Sequence, residues 1–282
     1  MELDLDAYRQ KSRETWDEIA SGWVAKREWV QGQTAPVSDW LVANCNAQPG
    51  QTVVELACGT GDLGLRVAEK VGPSGRVIST DFAPEMVEAA RRNAQAAGAS
   101  NTEQRVLDAE HMDFGDDSAD CVICRFGYML MADPGQALKE SRRVLRDGSP
   151  LCFAVWRTPD LNPWAAIPAI TLVQRGHIPP PEPDGPGIFA MGDRDHTVAL
   201  VRAAGFGEPT LESIDFAFHY SDFDEVWDSI MRLAGPLASA IKGLSDDEQA
   251  ATRRAIEDNF ASFRGDDGAY TAPASSWGVL AA

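Results

Sequence analysis

The residues whose types and spacing could do chemistry fall between positions 55 and 125. Residues 53–64 read Val-Val-Glu-Leu-Ala-Cys-Gly-Thr-Gly-Asp-Leu-Gly: a short strand, a glycine turn with Glu55 at its lip, and the start of a helix. Such a junction brings bare backbone N–H groups close to a nucleotide-like ligand. Gly59, Gly61 and Gly64 satisfy the literal pattern G-x-G-x-x-G. Asp81 ends the next expected strand, 20 positions beyond Gly61, where an acid can accept hydrogen bonds from both hydroxyls of a ribose. Asp108-Ala109-Glu110 ends the strand after that, where an acid can accept from the exocyclic amine of adenine. Arg125-Phe126-Gly127 follows the fourth strand, in position to line the cleft floor. Each signal alone has a bland reading: a glycine turn is usually only a turn, and an Asp at a strand end is often a helix cap. The set, in this order, points to a cofactor containing adenosine.

The elements that must position these residues follow from hydrophobic periodicity and from Gly/Pro punctuation. Helices are expected over 4–30 and 36–47. Strands and helices then alternate: strand 52–56, helix 63–71, strand 76–80, helix 84–97, strands 102–107 and 121–126, helix 134–144, strand 150–156. Alternation at this spacing implies parallel βαβ units with helices on both faces. Residues 157–190 are rich in proline, with a short helical piece over 164–175. Helix 195–204 and strand 210–220 follow, then helical stretches over 222–264, broken around Gly235-Pro236 and Gly243, and a last strand over 270–279. The expected fold is α/β, a doubly wound, mostly parallel, seven-stranded Rossmann-like sheet. Its organisation is an N-terminal helical cap (1–48), an α/β core (49–156), a recognition insertion with helices that rejoins the core sheet near 195–220 (157–264), and a C-terminal strand (265–282).

Residues 52–156 resemble a class I S-adenosylmethionine-dependent methyltransferase, most closely the small-molecule enzymes of ubiquinone and menaquinone biosynthesis. The matching stretches are 53–61, Val-Ile-Ser-Thr-Asp-Phe-Ala-Pro-Glu-Met at 77–86, Asp-Ala-Glu at 108–110, and Arg-Arg-Val-Leu-Arg-Asp-Gly at 142–148. The segment from Trp16 to Trp23 is similar to that family's N-terminal aromatic segment. The resemblance implies S-adenosyl-L-methionine as cofactor and S-adenosyl-L-homocysteine as product. It implies that Glu55 holds the methionine ammonium and that Ala57, Gly59 and Gly61 let the chain pass under the ligand. It further implies that Asp81 takes the ribose diol, that Phe82 and Met86 pack on adenine, and that Asp108 and the backbone of Ala109 read its edge, with Glu110 beside them in the cofactor site. Arg125 falls near the methionine end. Two departures stand out: Ala57 replaces a glycine, and Asp147-Gly148-Ser149 replaces a Pro-Gly-Gly turn.

The acceptor side is less explicit. Trp16, Trp23, Tyr128, Trp164 and Phe189 are expected to line an apolar cover over the cleft, which would exclude water and favour an apolar or aromatic acceptor. His177, in the proline-rich insertion, is the first candidate for a general base; His111, near Asp108, and Tyr8, Tyr128 and Tyr220 are further ones, while His196 and His219 belong to later elements. Cys121-Val-Ile-Cys124 lies inside a buried strand, so packing is its expected role and no metal is expected. The formal net charge of −18, from 43 acids and 25 bases, argues against nucleic-acid and anionic-membrane partners. The acidic N-terminus has no signal-peptide pattern, no apolar run approaches ~20 residues, and the five cysteines are scattered. A cytoplasmic enzyme acting on a small molecule is expected. The alternatives are a nicotinamide-dependent oxidoreductase, from the literal glycine pattern, and a non-catalytic cofactor-binding protein.

Overall fold

A computed structural model describes residues 4–182 and 185–282. Three helices come first: α1 (Leu5–Ala25), α2 (Arg27–Gln33) and α3 (Ala35–Asn44). The core follows as β1 (Thr52–Leu56), α4 (Asp62–Val71), β2 (Arg76–Asp81), α5 (Pro84–Ala96), β3 (Thr102–Val106), β4 (Cys121–Arg125), α6 (Pro134–Val144) and β5 (Leu151–Trp156). The rest is α7 (Pro163–Gln174), α8 (Arg194–Ala203), β6 (Thr210–Tyr220), α9 (Phe223–Leu233), α10 (Gly235–Lys242), α11 (Asp246–Phe260) and β7 (Tyr270–Ala281).

The seven strands form one sheet in the order β3-β2-β1-β4-β5-β7-β6. The first five are parallel, and β7 runs antiparallel between β5 and β6. Strand residues alternate between two apolar layers. Val54, Leu56, Val122, Cys124, Phe153 and Val155 face one side, and Val53, Cys121, Ile123, Cys152 and Ala154 face the other. Both faces are therefore buried, as parallel βαβ units require. The chain reverses its winding between β1 and β4, and there the carboxyl ends of the strands open a crevice.

The expected helix over 4–30 is two helices. It breaks at Lys26, whose side chain pairs with Asp228 at 2.7 Å. The region 157–264 is also more divided than expected. Helix α8 packs on α6 as an ordinary crossover helix, while α7 packs on α11 and β7, and α9–α11 bridge β6 to β7. Among the described residues no helix is long and apolar enough to cross a membrane.

Candidate functional site

The glycine turn is built around a buried acid. Glu55 ends in the interior, where Oε2 accepts from Ser79 Oγ at 2.6 Å and Oε1 accepts from Gly64 N at 3.1 Å. Burial pushes its pKa up to about 7 against the opposing pull of Ser79 and the Arg125 charge. Gly64 has no room for a side chain, because a Cβ there would lie 2.3 Å from Glu55 Oε2 and 2.4 Å from Ser79 Oγ. The third glycine of the literal dinucleotide pattern thus makes space for Glu55. At the turn itself Ala57, Gly59 and Gly61 all have positive φ. A Cβ at Gly59 would meet nothing within 4 Å, so the backbone is open on that side. Gly61, by contrast, presses on Ala90 of α5.

Asp81 sits at the tip of β2, across the turn. Its Oδ2 accepts from Gly59 N at 2.9 Å and its Oδ1 from Ala83 N at 3.0 Å. The acid therefore joins the turn to the start of α5. Burial is the largest influence on Asp81 and raises its pKa to about 6. Beside it Phe82, Ala83 and Met86 pack with Trp16, Ala20 and Trp23 of α1. Trp16 and Trp23 are 5.7 Å apart, and the buried Trp23 Nε1 has no partner. Helix α5 lacks its own side-chain cap; Asp17 of α1 supplies one, accepting from Glu85 N at 3.1 Å.

At the tip of β3, Asp108 Oδ1 accepts from Glu110 N at 2.9 Å, and its other oxygen lies 3.3 Å from His111 Nδ1. The Asp108 carboxylate is partly exposed; His111 is largely exposed. Ala109 is buried. Glu110 is buried and engaged elsewhere: Arg9 Nε donates to it at 2.9 Å, and Ala132 N donates to Oε1 at 2.9 Å. Its carboxylate ties α1 to the core, which leaves it facing Arg9 instead of the crevice. Tyr8 adds a second tie, donating to Leu130 O at 3.3 Å.

Arg125 closes the row at the tip of β4. One nitrogen donates to Ser38 Oγ at 2.7 Å and to Thr34 Oγ1 at 3.2 Å. Asp62 nearby is bound by Thr60 Oγ1 at 2.6 Å and by Arg27 Nε at 2.7 Å. The next residue, Phe126, is a bulky side chain at φ 63°, a strained position for anything but glycine. That conformation lays its ring on Trp156, with centroids 4.0 Å apart and planes 7° apart.

From there an aromatic wall extends away from the glycine turn. Trp156 meets Trp164 (4.8 Å), Trp164 meets Phe218 (4.4 Å), and Trp29 meets Phe218 and Tyr220 (5.8 and 5.5 Å). Trp164, expected in a cover over the cleft, is half-buried within this cluster. Phe189 is half-buried and packed on the same core cluster. Tyr128 is a correction: it is fully buried, its hydroxyl 2.6 Å from Ser141 Oγ and its ring against Phe153. Burial raises its pKa well above the ordinary value, so it serves packing. Tyr220 is likewise buried, beneath Trp29. His177 has Nε2 3.3 Å from Arg175 Nε and 3.4 Å from Glu248, where α7 meets α11. His196 caps no ligand group; its N–H binds Asp193 at the start of α8. His219 bonds Thr271 across β6 and β7.

Sequence reasoning missed Ser79, Arg9, Asp17, Arg27 and Gln31. Ser79 stands in a strand that is half polar, Arg-Val-Ile-Ser-Thr-Asp, so nothing local singled it out. The others act across long stretches of chain, where spacing says nothing.

Comparison with known proteins bears on the fold that carries these residues. Residues 47–169 match the model of a family described as a methyltransferase domain. The YcgJ protein of Bacillus subtilis superimposes with a TM-score of 0.58 at 16% identity, covering 86% of this chain and 96% of that one. This chain has the Rossmann-like methyltransferase fold. The [4+2]-cyclase SpnF shares the fold, with a TM-score of 0.53 at 18% identity over 87% of this chain and 79% of that one. In sequence the chain is similar to the 2-phytyl-1,4-naphtoquinone methyltransferase of Trichormus variabilis, 31% identical over 153 residues. That match takes in 52% of this chain and 66% of the relative, just under two thirds of its length.

Proposed function

We propose that the protein transfers a methyl group from S-adenosyl-L-methionine to a small, largely apolar or aromatic metabolite, at oxygen or carbon in preference to nitrogen. The observation that carries this is the row of groups along the tips of β3, β2, β1 and β4: Asp108, Asp81, the open turn at Gly59, and Arg125. It offers acceptors to an adenosine at one end and a cation at the other. Among the described residues, two of the buried donors without a partner are Trp23 Nε1, on the face of α1 that packs with Phe82 and Met86, and Gln31 Nε2, in the enclosure that Arg125 also lines, so the residues present suit a polar ligand.

S-adenosylmethionine, when bound, supplies a methyl group already activated by its sulfonium. The chain's own task is then to hold and orient. Asp81 accepts from the ribose hydroxyls, Phe82 and Met86 flank the adenine, and Asp108 with the Ala109 backbone reads its edge. Glu55 acts from beneath, fixing the turn through Gly64. The aromatic wall from Phe126 to Phe218 orients a flat acceptor and keeps water from the in-line path. Aromatic faces also favour a neighbouring cation. The naphthoquinone methyltransferase named above is consistent with a flat acceptor.

Calorimetry with S-adenosylmethionine and with NAD(H) tests the cofactor. Binding of the first alone supports the reading; binding of NAD(H) alone would overturn it in favour of a nicotinamide enzyme. The shared fold with a cyclase gives a second question its weight, namely whether transfer occurs at all. Incubation with methyl-labelled cofactor and a metabolite extract answers it: label in an extracted product supports transfer and identifies the acceptor.

A further inference from the structure

The seven-stranded sheet has one closed edge and one open one. The outer edge of β6 is closed. Gln33 of α2 donates from Nε2 to His219 O at 2.8 Å, and its Oε1 accepts from His219 N at 2.9 Å, as a neighbouring strand would. Helices α2 and α3 pack against the same strand. The outer edge of β3 has no such cover. β3 pairs with β2 alone, and the helices in contact with it, α4 and α5, are crossovers that return over one face of the sheet. Among the described residues it is the one strand with no buried residue, and Val106 at its end is exposed.

The hydrogen bonds of β3 show which groups are left. Leu107 N donates to Asp81 O, and Asn101 O accepts from Val77 N, so the odd-numbered residues turn their backbone groups toward β2. Thr102, Gln104 and Val106 turn theirs outward. Gln104 O receives a long contact from Arg91 Nη2, at 3.5 Å. An open row of this kind is a template for another strand, and charged side chains commonly guard it. Here the charges select a partner instead. Let two copies of β3 run antiparallel about a two-fold axis at Gln104. Gln104 then faces the partner's Gln104, and Thr102 faces the partner's Val106, so every outward residue joins a hydrogen-bonded pair. Between them Glu103 stands opposite the partner's Arg105, at the closer ~4.5 Å spacing of non-hydrogen-bonded pairs. Shifting the register by two residues, the next that keeps outward groups paired, would set Glu103 against Glu103 or Arg105 against Arg105. Within the chain Glu103 lies 2.5 Å from Arg76 and Arg105 lies 2.5 Å from Asp113, so the new pairs would extend existing ion networks.

We propose that two copies of this chain associate through β3 in this register, joining their sheets across a two-fold axis. The edge is only five residues long, so the dimer belongs to the weak, concentration-dependent class. This inference is independent of the cofactor reading.

Sedimentation velocity on the full chain, from ~1 μM to ~1 mM, is the first test. A reversible monomer–dimer equilibrium is expected, and a monomer throughout overturns the proposal. Hydrogen exchange at the two ends of that range locates the contact. The amides of Thr102, Gln104 and Val106 should exchange more slowly at the higher concentration; a dimer in which they do not uses another surface, and overturns it. Glu103→Arg and Arg105→Glu should each weaken the dimer by about tenfold, since each sets like charges opposite one another on both sides of the axis. The double variant should recover to within about threefold, and a double variant as weak as the singles would refute the charge-set register. Gln104→Pro removes an N–H that faces outward, a change that edge strands accept. It should leave the chain folded by circular dichroism and monomeric. Should that variant unfold, hydrogen exchange and the charge series carry the decision.

Discussion

The two halves of the crevice are made of different material. Along the tips of β1 to β4 the side chains are polar, and two are fixed by backbone groups two residues on, Asp81 by Ala83 N and Asp108 by Glu110 N, while Glu55 is held by Gly64 N nine residues on. On the far side lies a cluster of aromatic rings from distant segments, Trp29 of α2, Trp164 of α7 and the buried Trp156 of β5 and Phe218 of β6. The polar half binds through directional hydrogen bonds, which fix one ligand closely. An acceptor held by the aromatic half, as proposed, would bind through area and shape, which tolerate variation in the ligand. A chain can therefore keep its cofactor while its acceptor changes.

The sharpest way to break the contrast is at its polar centre. Asp81→Ala should raise the dissociation constant for S-adenosylhomocysteine by about 100-fold, the effect of losing hydrogen bonds to a charged acceptor. Unchanged binding in calorimetry would show that the ribose is held elsewhere. Next is Gly64→Ala, which forces a methyl group into the Glu55–Ser79 contact. Overpacking of this kind costs about 1–3 kcal/mol, read as a lower melting temperature.

Acidity offers a third probe. Ribose hydroxyls donating to Asp81 favour its ionised form, while burial holds its pKa at about 6 in the free protein. Cofactor affinity should therefore rise by about tenfold between roughly pH 5 and pH 7, with a proton released on binding, measured by calorimetry in buffers of different ionisation enthalpy. Stability moves the other way. Both Glu55, at about 7, and Asp81 titrate above the ordinary carboxyl range. Their protonated forms favour the fold, so this stability is whole at low pH and is lost as pH rises through about 6 to 7.

On the aromatic side Trp164→Ala should leave cofactor affinity within about twofold and raise the acceptor KM severalfold, since the ring contributes area and not a directional bond. A matching loss of cofactor binding would mean that the two halves are not separable. The smallest effect belongs to His177→Gln. With Nε2 facing Arg175 and Glu248, His177 sits in a surface ion-pair group. Exposed pairs of that kind are worth ~0–1 kcal/mol, and turnover should change less than about threefold. A large loss of turnover with a shifted pH profile would restore it as a base.

The same contrast governs what could be read from the residues. Helix α6 and strand β6 fall where periodicity put them, and the other core elements agree to within a residue or two, because each is bounded by Gly, Pro or a cap nearby. The row from Glu55 to Arg125 was legible because strand ends and turns are consecutive in the chain. The break at Lys26 was not, since no glycine or proline marks it; it brings Arg27 to Asp62 and Lys26 to Asp228. Glu110 reads as a cofactor-site residue, but its partner Arg9 lies about a hundred residues away and leaves no local trace. Tyr128 follows Gly127 closely enough to suggest the crevice, yet a short helical turn carries it under the sheet to Ser141.

The position of β7 has a consequence for how the molecule is made. Strand β6 pairs with β7 alone, and β7 also covers β5. The chain between Tyr220 and Tyr270 must therefore leave the ribosome before either strand can be matched, an interval of a few seconds at ~5–20 residues per second. During that interval Phe216, Phe218 and Tyr220 belong to a strand with no neighbour, the kind of segment that pairs with other chains. Crowded or fast expression should drive this protein into aggregates through β6 first, before any fault in the cofactor half is felt.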